Sequence, residues 1–559
     1  MQSFKFNDNM KKNRIILIFS YLMLMATLME SCHDLKKRVD LIIYNAKIYV
    51  PDSLYPKNDC LAVKDGKIYL IGTDSEIRSR YWADENINAK GLVVYPGFID
   101  AHAHFIGLAL SLRYADLNQA KSFDEVIKIL QDYRKIHPDS WIVGRCWDQN
   151  KWPDKKFPVN TRLNKLFPGV PVVLTRIDGH AVLASQAAID AAKLNFPGKK
   201  GEALISAGKF TGIFLETMAD QVKEVVPQPS TEELARLIGI ATKRCHEAGL
   251  TAVTDAGLEK KEILLLDSLQ KTGKLQLRID AWISPTEENI SYFMKKGVYK
   301  TPFLRVGAIK LYADGALGSR GACLLKPYTD DRDNYGIALI TPEELVRICK
   351  IAYEHDYQVN THAIGDSAVR IVLHAYAKIL HEGNDRRWRI EHCQVVNSND
   401  FEIFRKFKVI PSVQATHATS DMGCAEQRLG KERIKTAYAY KQLLDQNSWI
   451  PNGTDFPIEG IEPLHTFYAA VARKNLNNQP AEGFQKENAL SRMEALKSIT
   501  TWAAKSSFSE NLLGSLTIGH NADITILDSD LLKVNEDDIL KSNVKYTIVN
   551  GKIVYKAKY

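Results

Sequence analysis

The chain contains 559 residues, of which 45% are hydrophobic and 25% are charged. These proportions are those of an ordinary globular protein, so a disordered chain, a collagen-like chain and a membrane protein of many spans are excluded. At roughly 100–200 residues per domain, the length favours one large domain with a smaller one. The 74 basic and 66 acidic residues are interleaved, so the net charge of +8 indicates no nucleic-acid-binding tail, and no nucleic-acid partner is expected. The eight cysteines form no C-x-x-C pair, which excludes a zinc ribbon.

The first segment of the chain has the features of an export signal. Basic residues up to Arg14 precede the apolar stretch Ile15–Leu28, which ends shortly before Ser31 and Cys32. This stretch is shorter than the roughly 20 residues that span a bilayer, and it predicts a signal peptide over residues 1–31. Ser31 and Cys32 resemble the end of a bacterial lipobox, which implies that Cys32 becomes a lipidated mature N-terminus. We expect an exported lipoprotein of the periplasm or cell envelope, held to the membrane by its lipid anchor only; a plain signal peptide is the alternative.

The two ends of the mature chain have the pattern of short strands. An Asp-Gly pair at Asp65 and an Asn-Gly pair at Asn550 each separate two strand-like runs, which is a strong signal for a β-hairpin. Residues 39–95 and 511–559 are therefore predicted to form one small composite β-sandwich domain, built from both chain ends.

The middle of the chain, residues 96–510, alternates apolar runs with longer amphipathic segments. The predicted strands are Gly97–His102, Leu250–Asp255, Val306–Tyr312, Gln358–His362, Trp388–His392, Val409–Gln414 and Trp449–Thr454. Segments such as Pro342–His355 between them carry helical spacing. Repeated strand–helix units are typical of a parallel α/β fold, and their number favours a closed (β/α)8 TIM barrel. Aromatic-rich stretches at about 140–220 and 415–447 are predicted to be insertions.

Polar residues lie at the downstream ends of these predicted strands. His102 and His104 are two positions apart, so both imidazoles can point to the same side of a strand and meet one metal ion. The other members of the set are Lys310, His362, His392 and Asp455. Each of them alone is explained more simply as a buried structural histidine, a snorkelling lysine or a turn aspartate. Six at successive strand ends favour an active site, because catalytic groups of this barrel lie at the C-terminal face of its strands.

The order of these residues resembles the metal centre of the amidohydrolase superfamily. Longer motifs resemble its amidohydrolase-3 branch, which includes proteins similar to N-substituted formamide deformylase. These motifs are Asp100–His104, Gly144–Asn150, Asp178–His180, Lys310–Arg320, Thr361–Asp366 and Gly453–Pro457. The resemblance covers essentially all of residues 39–559.

The resemblance implies a site for divalent metal, with zinc as the expected ion. His102 and His104 would bind the first ion, and His362 and His392 would bind a second one; whether the site holds one ion or two is left open. Lys310 as an ammonium group has no lone pair to offer a cation. Carbamylated by CO2, it would become an oxygen ligand able to bridge two ions.

The resemblance also implies a reaction. Asp455 would complete the ligand set and act as the general base for an attacking water, which predicts hydrolysis of a non-peptide carbon–nitrogen bond of the amide type. Two alternatives stay open: another metal-dependent reaction on the same barrel (an isomerase, an esterase or a cyclic-imide hydrolase), and a non-catalytic surface lipoprotein that captures a ligand. Retention of all six positions argues against the second alternative.

A further set of residues is predicted to contact a small-molecule substrate. The set consists of Trp147, Asp148, Asp178, His180, Arg320 and His417. For Trp147 the alternative is packing inside an insertion, and for Arg320 it is a surface salt bridge. The sequence identifies neither the substrate nor the oligomeric state, and a homo-oligomer is left open.

Overall fold

The computed structural model describes residues 36–49, 58–136, 141–176, 181–194 and 203–558. The predicted signal peptide and Cys32 lie outside these residues. The chain divides into two compact units, the first within Met1–His104 and Thr242–Tyr559, the second within Phe105–Ala241. No helix in the described part of the chain combines the length and the apolar character that crossing a bilayer requires.

The strands and helices alternate through most of the chain. The strands are β1 Lys37–Tyr44, β2 Lys47–Ile48, β3 Cys60–Lys64, β4 Lys67–Gly72, β5 Tyr81–Asn88, β6 Val93–Pro96, β7 Phe98–Ala103, β8 Ala115–Asp116, β9 Ile142–Trp147, β10 Val172–Arg176, β11 Ala181–Ala184, β12 Ala203–Ser206, β13 Lys209–Leu215, β14 Leu250–Leu258, β15 Arg278–Ile283, β16 Tyr299–Lys300, β17 Leu304–Tyr312, β18 Gln358–Ala363, β19 Arg389–His392, β20 Ile410–Ser412, β21 Ile524–Leu527, β22 Val544–Val549 and β23 Lys552–Lys556. The α-helices are Asp74–Arg80, Phe105–Ser111, Phe123–Ile136, Thr161–Leu166, Gln186–Ala191, Glu216–Glu224, Thr231–Glu247, Lys260–Lys271, Glu287–Lys296, Pro342–Glu354, Asp366–Ala377, Phe401–Phe407, Ala415–Arg433, Tyr440–Asn447, Pro463–Ala472, Arg492–Ser498 and Thr501–Ser506.

A parallel barrel sheet forms the centre of the first unit. Its strands are hydrogen-bonded in the order β20-β19-β18-β17-β15-β14-β7, and every neighbouring pair is parallel. Strand β17 is buried on both faces for eight of its nine residues, which is why its sequence is mostly apolar. The predicted fold class, mixed α/β with a parallel barrel, is confirmed.

Irregular backbone closes the barrel between β20 and β7. The N–H of Gly453 donates to the carbonyl of Val413 (3.0 Å), and the N–H of Asp455 donates to the carbonyl of His102 (2.8 Å). A Cβ atom at residue 453 would lie 2.4 Å from the backbone N of His102, so only glycine fits this seam. The predicted strand Trp449–Thr454 is therefore a bridged segment rather than a regular strand.

Strand β15 was missed by the sequence prediction. Its sequence is interrupted by Arg278 and Asp280, which hide the apolar run. In the structure Arg278 pairs with Asp523, with Nε 2.6 Å from Oδ2, and Asp280 pairs with Arg305, with Oδ1 2.7 Å from NH1. Both charges are compensated by residues that only the fold brings near.

Two further sheets of the first unit use both ends of the chain. One has the order β4-β3-β1-β5, and the other has the order β2-β6-β21-β22-β23, in which β21 pairs antiparallel with β6. Their apolar residues share one core, to which Leu41 and Val63 contribute from the N-terminal side and Ile524 and Ile548 from the C-terminal side.

The second unit contains its own six-stranded sheet. The strand order is β12-β13-β11-β10-β9-β8, and its core includes Trp147, Trp152 and Leu174. Trp147 and Trp152 stack with their ring centroids 6.0 Å apart.

Candidate metal centre

Ligand-type side chains converge where β7, β19 and the closing seam end. One atom from each of His102, His392 and Asp455 lies within 4.8 Å of the others, and all three residues are buried. His104 Nε2 lies 3.2 Å from Asp455 Oδ1. The ring of His362, at the end of β18, has its centroid 4.5 Å from that of His392.

Lys310 of β17 completes the set of six predicted ligand residues. Its side chain is buried, and its Nζ lies 3.2 Å from His102 Nε2. Burial lowers the pKa of Lys310 to about 8. The structure thus brings the six residues together, while their roles as ligands stay predictions.

Hydrogen bonds orient His102, in β7, and His104, just after it. The Nδ1 of His102 donates to Glu391 Oε2 at 2.6 Å, and the Nδ1 of His104 donates to the carbonyl of Ala256 at 3.0 Å. With the proton on Nδ1, the lone pair of each imidazole is on Nε2, which faces Asp455. This is the arrangement that outer partners impose on metal-binding histidines.

The residues present fit a divalent ion. The Nε2 atoms of His102 and His104 and the Oδ1 of Asp455 are all acceptors, yet the two nitrogens lie only 3.5 and 3.2 Å from that oxygen. Asp455 Oδ1 is buried without a hydrogen bond in the described part of the chain, as are His362 Nε2 and His392 Nδ1. Buried polar atoms without partners are rare and costly, and a cation among nitrogen and oxygen donors would satisfy them.

Burial also keeps the imidazoles in the form that binds a cation. It lowers the pKa of His362 to about 3, and it lowers the pKa values of His102 and His392 well below the ordinary range. These side chains are therefore neutral near pH 7, and their lone pairs are available to a metal ion.

A buried ion pair behind the ligands was missed by the sequence analysis. Glu391, which holds His102, lies 2.7 Å from Arg389 Nε through its Oε1, and both side chains are fully buried. Arg389 also donates to the carbonyl of Ala101 (2.7 Å) and to Ser412 Oγ (2.8 Å). The sequence signal for this pair was the spacing of Arg389 and Glu391, which are two residues apart and therefore point to the same side of the strand that ends at His392.

Two buried aspartates position the ligand-bearing segments. Asp100 accepts hydrogen bonds from Thr454 Oγ1 at 2.7 Å and from the N–H of His102 at 3.1 Å, which ties β7 to the seam. Asp314 accepts from the N–H groups of Ile364 and Gly365, at 2.9 and 2.8 Å, just after β18. Burial raises the pKa of each aspartate to about 7.

His417 joins the cluster from the helix Ala415–Arg433. Its ring stacks on that of His392, with centroids 5.5 Å apart and an interplanar angle of 10°. Its Nε2 lies 3.5 Å from Asp455 Oδ2, and its Nδ1 is 3.2 Å from Gln394 Nε2. Sequence analysis placed His417 with substrate, and the structure places it beside the candidate base.

The structure shows other contacts for three of the remaining predicted substrate residues, and two lie outside the described residues. Arg320 pairs with Asp330, with NH2 3.0 Å from Oδ2, which is the salt-bridge alternative. Trp147 is packed in the core of the second unit and donates from Nε1 to the carbonyl of Leu174 at 2.8 Å. Asp148 accepts from Arg176 NH2 at 3.3 Å in that unit. Asp178 and His180 lie outside the described residues, so substrate contact by all of these stays a prediction.

Fold and site together define a metal-dependent hydrolase barrel. A family model described as the amidohydrolase family, Amidohydro_3, matches residues 85–555, and the chain belongs to this family. The predicted amidohydrolase-3 membership is confirmed.

The similarity to known relatives and to a solved structure covers almost the whole chain. The Bacillus subtilis (strain 168) protein YtcJ, named as an amidohydrolase, is 30% identical over 512 residues, which cover 89% of this chain and 96% of YtcJ. The N-substituted formamide deformylase of Arthrobacter pascens is 23% identical over 542 residues, 92% of this chain and 98% of that enzyme. The crystal structure of an uncharacterized metal-dependent hydrolase from Pyrococcus horikoshii OT3 superposes with a TM-score of 0.73 at 29% identity, covering 89% of this chain and 99% of that one.

Proposed function

We propose that this protein hydrolyses a carbon–nitrogen bond, of the amide type and not a peptide bond, in a small molecule. The observation that carries the proposal is the convergence of acceptor atoms from His102, His104 and Asp455 below a cavity of about 370 Å³. The name of the Arthrobacter pascens relative, a formamide deformylase, favours this bond over an ester or a cyclic imide.

The ion is proposed to be zinc, because imidazole nitrogens and a carboxylate are ligands that zinc prefers. When bound, a divalent ion activates water for nucleophilic attack and polarises the substrate carbonyl. A site with His102, His104 and Asp455 would hold one such ion. His362 and His392, whose buried nitrogens Nε2 and Nδ1 lack partners in the described chain, would hold a second.

Asp455 is proposed as the general base. Its carboxylate would accept a proton from the attacking water while the oxygen–carbon bond forms, and would return that proton to the leaving nitrogen as the carbon–nitrogen bond breaks. His417, 3.5 Å from Asp455 Oδ2, would hold the carboxylate in place during both transfers.

Lys310 is proposed to be carbamylated. Its amine would react with CO2 to give a carbamate and release one proton, which would turn a buried cation beside His102 into an oxygen ligand. Lys310→Ala should lower metal occupancy, with partial recovery when a small carboxylate such as propionate is added. Full metal loading without the carboxylate would contradict a bridging role.

We propose further that the protein is an exported lipoprotein held in the cell envelope by lipidated Cys32. The signal-like segment over residues 1–31 supports this placement. Cys32→Ala should release the protein from the membrane fraction, and an unchanged membrane fraction would count against the anchor.

Metal analysis and one substitution test the proposed function. The purified protein should hold at least one divalent ion, and Asp455→Asn should lower turnover of N-acyl and N-formyl amines about 10²–10⁴-fold while most of the metal is retained. Asp333→Asn, which makes the same change at an exposed loop residue, is the control. A well-folded, metal-free protein would favour ligand capture instead, and undiminished activity of Asp455→Asn would remove Asp455 from the mechanism.

A further inference from the structure

The cavity above the candidate metal centre carries two carboxylates that the hydrolytic chemistry does not use. Its charged lining residues are Lys310, Asp421, Asp455 and Glu459. Lys310 and Asp455 belong to the metal centre, whereas Asp421 and Glu459 lie on the wall, half-buried.

Neither wall carboxylate has a cationic partner in the described part of the chain. Asp421 Oδ2 accepts from the hydroxyl of Tyr438 at 2.7 Å, and Glu459 Oε1 accepts from the hydroxyl of Ser420 at 2.6 Å. Each therefore keeps its negative charge uncompensated beside the cavity.

Two basic side chains near these carboxylates are paired with other acids. Arg428, two turns along the same helix as Asp421, pairs with Asp330. Lys474, which lines the adjoining cavity together with Glu459, pairs with Glu536 through atoms 3.4 Å apart. The protein thus leaves the negative wall open to a ligand.

A buried amide in the same cavity is a second, independent sign of a donor-bearing ligand. Gln394 lines the cavity and is 3% exposed, and its Oε1 is buried without a hydrogen bond in the described chain. Its Nε2 is engaged with His417 Nδ1 at 3.2 Å. A buried acceptor of this kind costs free energy until a donor reaches it.

The helix sets the distance between this wall and the reacting centre. His417 and Asp421 are four residues apart in Ala415–Arg433, so they lie on the same helix face, about 6 Å apart along the axis. A substrate whose acyl carbon lies beside His417 and Asp455 would therefore carry its donor group a short alkyl chain away.

We propose that the substrate is an N-acyl amine bearing a second, positively charged amino group, which Asp421 and Glu459 bind while Gln394 accepts a hydrogen bond from a substrate N–H. This assignment rests on the proposed function, since it names the substrate class of the same site. Hydrolysis of such a compound adds water across the carbon–nitrogen bond and releases a carboxylic acid and a diamine.

Three compounds of matched length test the proposal on the metal-loaded protein. They are N-acetylcadaverine, which is cationic, N-hexylacetamide, its neutral isostere, and N-acetyl-6-aminohexanoate, which is anionic. Dissociation constants are measured by calorimetry and kcat/KM by product analysis. We expect the cationic compound to bind about tenfold or more tightly than the neutral one, equivalent to about 1.4 kcal/mol, and the anionic compound to bind most weakly.

Variants assign the preference to the wall. Asp421→Asn and Glu459→Gln should each bring the ratio of the dissociation constants for the neutral and cationic compounds towards one. Asp421→Glu, which keeps the negative charge, should keep the preference for the cationic compound. Glu426→Gln, at an exposed residue of the same helix, should leave the ratio unchanged. Four outcomes would overturn the proposal: equal binding of the three compounds, no binding of any of them, a preference for the anionic compound, or a preference for the cationic compound that survives both wall variants. A cation preference that depends on Asp421 without hydrolysis of any N-acyl compound would overturn the proposed function and leave the cation site standing.

Discussion

Replacing Glu391 with glutamine should weaken both metal binding and folding. Glu391 is fully buried, accepts from His102 Nδ1 at 2.6 Å and lies 2.7 Å from Arg389 Nε. A glutamine of nearly equal size has one carbonyl oxygen, so its NH2 group must face either the imidazole N–H or the guanidinium. One donor then meets another donor, and Arg389 loses its compensating charge.

The size of the effect follows from burial. Removing one partner of a buried ion pair costs about 3–5 kcal/mol, because the other charge stays in the interior without compensation. The hydrogen bonds from Arg389 to Ala101 and Ser412 persist, so we expect the lower part of this range for the free energy of unfolding. Loss of an outer partner of a ligating histidine lowers metal affinity about 10–100-fold.

Two measurements check this prediction. Chelator competition gives the metal dissociation constant of Glu391→Gln, and denaturant unfolding of the metal-free protein gives its stability. Glu402→Gln, an exposed residue of the helix Phe401–Phe407, is the matched control and should change the free energy of unfolding by less than about 0.5 kcal/mol. Wild-type metal affinity together with a loss below about 1 kcal/mol would refute the reasoning.

Two further predictions concern the barrel seam and acid stability. Gly453→Ala should lower the free energy of unfolding by about 1–3 kcal/mol or more and reduce metal occupancy, because the new methyl group meets the backbone of His102 at 2.4 Å. Gly423→Ala, whose methyl group meets nothing within 4 Å, is the control. Equal stabilities of the two variants would contradict a tight seam. Burial lowers the pKa of His246 from 6.5 to about 4, so its neutral form contributes stability above pH 6.5 that is lost as the pH falls towards 4. His246→Gln should therefore flatten the acid loss of stability by up to about 3 kcal/mol in urea unfolding from pH 7 to pH 4, and an unchanged pH slope would show that His246 has no part in it.

Local patterns in the sequence predicted most strands of the barrel and the six residues that the structure brings together at their ends. Strands such as β17 are buried on both faces, so apolar residues dominate their sequences and the strands are visible without the fold. His102 and His104 share one side of a strand because side chains alternate with a period of two. These are relations between neighbours in the chain, which a sequence displays directly.

Only the tertiary structure decided how charges inside the protein are compensated. Arg278 and Asp523 are 245 positions apart, so no local pattern can pair them, yet their ion pair compensates the buried charge at the start of β15. Glu391 reaches His102 across 289 positions, and this contact determines which imidazole nitrogen faces the metal centre. Desolvation makes a buried charge costly unless a partner is near, and which partner is near depends on the whole fold.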